Sequence, residues 1–142
     1  MFGLPRIEIL DISFINPYTD AEGVNEMAKY ETTLRGDFHR FLAAVGEGIL
    51  SGSASASYED GSDIEAGDAK CAVRVYERYS FWGKNRVSLN ITVLGHEDEL
   101  FVSAITSGGS QAMFFKINTF GESNFLRKAI DVIEGYKQGA RR

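Results

Sequence analysis

The chain has 142 residues, 44% apolar and 25% charged, with a formal net charge of −5. Two prolines and no low-complexity tract argue for one globular domain rather than a disordered chain. The acidic balance opposes non-specific binding to nucleic acid or anionic membranes, and the lone cysteine, Cys71, excludes an internal disulfide and a cysteine metal cluster.

The first 26 residues differ in kind from the rest of the chain. Glu22-Gly23-Val24 can be encoded by a purine-rich stretch spelling AAGGAGTG, a bacterial ribosome-binding sequence just upstream of Met27. Met27 is therefore expected to be the natural start, with residues 1–26 an N-terminal extension that is translated leader. The competing reading is a genuine extension in which "RIEILDISFI" adds a strand, because it is β-branched and partly alternating. The opening residues lack the plan of a signal peptide, and no apolar run approaches the ~20 residues that span a bilayer. A cytoplasmic protein without membrane contact is expected.

Residues 27–142 read as a single α+β domain. "KYETTLRG" predicts a strand with Tyr30, Thr32 and Leu34 on one side. Gly36 breaks it and Asp37 caps a helix whose apolar stripe is Phe38, Phe41, Leu42, Val45 and Ile49. Gly46 and Gly48 weaken the end of that helix, and "SGS" stops it. "SASASYED" is a weak strand of small residues, and Glu59, Asp60, Asp63, Glu65 and Asp68 belong to an acidic turn. Those carboxylates lack the spacing and central glycine of an EF-hand loop, so they are read as solvated.

In "AKCAVRVYERYSFW" the residues Cys71, Val73 and Val75 are assigned to the covered face and Arg74, Tyr76 and Arg78 to the other. "WGKN" signals a hairpin turn. "RVSLNITVLG" alternates Val87, Leu89, Ile91 and Val93 against Ser88, Asn90 and Thr92. "GHEDE" turns into "LFVSAITS", and "GGS" turns into "QAMFFKINTF". The Gly108-Gly109 pair is read as a hairpin turn and not a phosphate cradle, because no helix begins directly after it. Ser123 is expected to cap a last helix with the stripe Phe125, Leu126, Ala129, Ile130, Ile133 and Tyr136.

The expected architecture has two layers: an antiparallel five- to six-stranded sheet, one helix after its first strand, and a long C-terminal helix. Val73, Val75, Val87, Leu89, Ile91, Val93, Leu100, Val102, Met113, Phe115 and Ile117 would face the helices. The second sheet face would carry Arg74, Tyr76, Arg78, Phe101, Phe114 and Phe120 among polar residues. These six are the candidate interface residues, and a back-to-back homodimer is the partner they suggest. Aromatic sheet faces also stack nucleic-acid bases, but the acidic total and the missing ribonucleoprotein motifs argue against that.

His39 and His96 are the only histidines, read as solvent-exposed. No zinc-protease, nucleophile-elbow or Walker motif is present, so no catalytic residue, metal or cofactor is assigned.

The segments "MAKYETTLRGDFHRFL", "NRVSLNIT" and "SAITSGGSQAMFFKINTFGE" resemble a family of small uncharacterised bacterial proteins of unknown function, over residues 27 to about 137. The resemblance carries no activity. The element order is also similar to helix-grip proteins of the Bet v 1 and START type, which bind hydrophobic ligands between sheet and helix. This chain departs from them in having one helix, not two short ones, after the first strand, and fewer strands. Together with the small residues Ala54, Ala56 and Ala104, that resemblance implies a small hydrophobic ligand in a cavity under the C-terminal helix.

Overall fold

The computed structural model describes residues 28–80, 85–108 and 122–140. The elements are β1 (Ala28–Arg35), α1 (Phe38–Ser51), β2 (Ala56–Ala66), β3 (Ala69–Ser80), β4 (Asn85–His96), β5 (Glu99–Gly108) and α2 (Glu122–Ala140). The strands form one antiparallel sheet in the order β1-β5-β4-β3-β2. The last four strands follow one another as hairpins, whereas β1 crosses over through α1 and β2 to lie beside β5. The six-stranded alternative needs residues 111–120, which lie outside the described residues, as does the expected "WGKN" turn.

Asp37 caps α1 as its sequence suggests, its side chain accepting the Arg40 amide at 2.8 Å. That hydrogen bond also holds the exposed carboxyl below its ordinary pKa. The helix runs on to Ser51, so its glycines do not end it; they mark where neighbours come closest. A side chain at Gly46 would meet the Tyr76 hydroxyl at 3.1 Å, and one at Gly48 would stand 2.6 Å from Val132 of α2. Helix α2 begins at Glu122, so Ser123 lies inside it rather than at its cap.

Both helices cover the same sheet face and run antiparallel, Gly36 lying near Tyr136 and Gly52 near Lys128. Phe41, Ile49, Leu89, Ile91, Val93, Leu100, Val102, Phe125 and Ile133 fill the space between the layers, all below 2% exposed. The ring of Phe41 meets Tyr136 edge-on at 5.2 Å. On β1, Tyr30 donates to Glu134 and Thr32 accepts from Lys137 at 3.1 Å, which fixes α2 along that strand.

Two sequence expectations are corrected by the sheet. The acidic run is not a turn: β2 continues through it to Ala66, with an irregularity between Tyr58 and Asp60 and a left-handed Gly67 (φ 59°) at the hairpin. Strand β3 also lies the other way up. Ala72 and Tyr76 are buried under the helices, while Cys71, Val73 and Val75 lie on the opposite face, which no element among the described residues covers and which is called the uncovered face below. The reason is register: Tyr76 pairs with Leu89 and Ala72 with Val93, so the even residues of β3 must share the face of the odd residues of β4.

An alanine in place of a helical glycine normally gains about 1 kcal/mol. Gly48→Ala is expected instead to lose about 1–2 kcal/mol, because its methyl group collides with Val132. In urea unfolding, a Val132→Ala background should remove at least about 0.5 kcal/mol of that penalty. A Gly48→Ala protein as stable as its parent would contradict the close approach.

Candidate interaction surface

The uncovered face is read directly from the ladder. One cross-strand row is Ile64–Cys71–Leu94–Phe101–Thr33, the next Ser62–Val73–Thr92–Ser103–Glu31, and the third Asp60–Val75–Asn90–Ile105–Lys29. On the three central strands these rows place Cys71, Val73, Val75, Leu94, Thr92, Asn90, Phe101, Ser103 and Ile105. Not one of them is charged. Within these three rows charges occur only on the flanking strands, where Lys29 and Glu31 pair at 3.2 Å on β1 and Asp60 is exposed on β2. Beyond the rows, Glu77, Arg86 and Glu99 bring charges to the ends of the central strands. An uncharged centre inside a charged rim is the anatomy of a protein interface. Ile64, on β2, is 57% exposed at the edge of the apolar row.

Of the six residues expected at an interface, Phe101 lies on this face, whereas Arg74, Tyr76 and Arg78 lie on the helix side. Tyr76 is 4% exposed and stacks edge-on against Tyr58 at 5.7 Å. Arg74 reaches out to the sheet edge, donating to Asp63 at 2.8 Å and to the carbonyls of Val73 and Ser62. Long basic side chains can leave a covered face in this way, which is why their charge misled the strand's orientation. Phe114 and Phe120 lie outside the described residues. The signal that could have corrected β3 was hairpin parity: the odd residues of β4 are plainly apolar, and each fixes the face of an even residue on β3.

At the other end of the same face a shallow depression of about 190 Å³ is lined by Ser55, Ser57, Glu59, Glu77, Arg78, Tyr79 and Arg86. Within it Ser57 donates to Glu59, and Arg86 to Glu77 at 3.4 Å. It is not an apolar ligand pocket. The sheet separates the two histidines: His39 is on α1, against the Phe38 ring at 5.3 Å, and His96 ends β4 with its side chain on the uncovered face. Among the described residues no cluster of His, Cys, Asp and Glu could hold a metal ion, and no helix is long and apolar enough to cross a membrane.

A family model for a family of unknown function, DUF6054, matches residues 27–137. The chain belongs to that family. No curated protein matches it significantly in sequence. Among solved structures it is similar to a hypothetical protein of Helicobacter pylori, at 10% identity and a TM-score of 0.47, over 78% of this chain and 87% of that one. A protein of Nitrosospira multiformis matches at 11% identity and 0.45, over 82% and 99% of the two chains. One from Chromobacterium violaceum matches at 9% and 0.44, over 80% and 98%. Scores of this size carry no argument.

Burial pushes the Tyr76 phenol above its ordinary pKa, with the nearby Arg74 cation opposing. The folded value thus exceeds the unfolded value of about 10. The corresponding stability is whole below pH ~10 and is lost as pH rises through the folded value. Tyr76→Phe is expected to cost about 1 kcal/mol or less at neutral pH. Its denaturation midpoint should fall less steeply than the parent's above pH ~10. Equal slopes for the two proteins would place the phenol in water.

Proposed function

We propose that this protein is an association module that pairs with a second copy of itself through the uncovered face of the sheet. The observation that carries this reading is the uncharged patch at the middle of β3, β4 and β5, framed by Lys29, Glu31 and Asp60 on the outer strands and by Glu77, Arg86 and Glu99 toward the strand ends. From strand spacing and rise, the five-stranded face offers about 600 Å². That approaches the ~800 Å² per partner of a stable interface. The helix-facing interior, by contrast, is occupied by the protein's own side chains wherever it is described.

In sedimentation velocity the parent is expected to be a dimer. Val73→Lys puts a charge at the centre of the patch, on a side chain that is only partly buried, and should give a folded monomer whose melting temperature falls only by the stabilisation that association gave the parent. A Val73→Lys protein that still dimerises would remove the basis of the reading.

A hydrophobic ligand between sheet and helix is supported by one observation of its own. Arg78 lies on the helix side, opposite Val87 and Ala56, and its Nη1 is buried with no hydrogen-bond partner among the described residues. A buried donor without a partner is costly, and an apolar ligand bearing a carboxylate would accept from it. Native mass spectrometry should then show excess mass on the parent and none on Arg78→Met. Bare protein in both spectra would end this second reading.

A further inference from the structure

We infer that the two copies are related by a two-fold axis lying between their sheets and running parallel to β4, so that Lys29 of each copy meets the partner's Asp60. This rests on the association reading above and adds its geometry.

Two sheets packed face to face can be related by a two-fold axis along the strands or across them. The order β1-β5-β4-β3-β2 makes β4 the central strand. With the axis along β4, each cross-strand row lies on the same row of the partner, reversed. Asn90, Thr92 and Leu94 then face their own copies. Val75 faces the partner's Ile105, and Lys29, at one end of its row, faces the partner's Asp60 at the other. Glu31 meets the partner's Ser62, so no like charges oppose one another in the three rows.

An axis across the strands has the opposite outcome. It stacks β2 on β2, brings the acidic outer strands of both copies together, and sets Asp60 against the partner's Ile64. Both axes join apolar to apolar in the centre, but across the strands Glu31 meets its own copy, and in these rows only the axis along β4 joins cation to anion. Aligned sheets cross at about 30°, so the axis bisects the directions of the two β4 strands and the match is closest around Thr92, at the centre of the middle row.

Charge reversal of the full chain tests this by sedimentation. Lys29→Asp alone sets two carboxylates against each other twice per dimer, and Asp60→Lys alone does the same with two ammonium groups. Each is expected to weaken self-association about tenfold or more. An equimolar mixture of the two variants should recover a heterodimer of parental affinity, because both of its contacts are again between opposite charges. If single reversals leave the dimer intact while Val73→Lys abolishes it, this axis is wrong and association through the face stands. A monomeric parent at high micromolar concentration overturns both and leaves the face to another occupant.

Discussion

The side-chain period of a β-strand is two, and that constraint governs this molecule more than any single contact. Once Tyr76 pairs with Leu89, every residue of β3 has its side assigned, and the β2 hairpin follows from β3. Two helices then cover one side, and no element among the described residues covers the other. A slip of one residue between β3 and β4 would put Val73 and Val75 under the helices and expose Tyr76. The uncharged patch on the outer face would be lost with it.

The helix layer is held to a similar tolerance. Helices α1 and α2 approach closely where Gly48 leaves room for Val132, and α1 comes down on the sheet where Gly46 leaves room for the Tyr76 hydroxyl. Bulky residues supply the burial: Phe41, Ile49, Phe125 and Ile133 lie between the layers, and interiors of this kind are packed as densely as organic crystals. The glycines thus act by absence, and their cost in helix propensity is offset by the approach they allow.

Much of this was legible in the sequence. The α1 and α2 stripes, the Asp37 cap and the inward residues of β4 and β5 follow from periodicity, because in each the apolar and polar positions are cleanly divided. Strand β3 resisted because both of its faces carry apolar residues. Its arginines looked like surface, yet Arg74 escapes the covered side by reaching Asp63 at the sheet edge. The acidic stretch of β2 resisted for a different reason. Exposed carboxylates suggest a loop, and only cross-strand pairing reveals that Asp60, Ser62 and Ile64 alternate with Gly61, Asp63 and Glu65. The candidate surface was visible as an idea and misplaced on β3, by one residue of parity.

Strand β2 has a further consequence for how large an assembly can grow. A sheet whose outermost strand is flat and apolar invites another chain to hydrogen-bond alongside it and extend without limit. Here the outermost strand breaks step between Tyr58 and Asp60 and carries a series of carboxylates. The opposite border, β1, bears Lys29, Glu31 and Arg35. Both borders discourage lateral growth, and the proposed back-to-back contact does not depend on them. Such a contact uses up its own surface, so assembly by that route closes at a pair and does not propagate into a fibre.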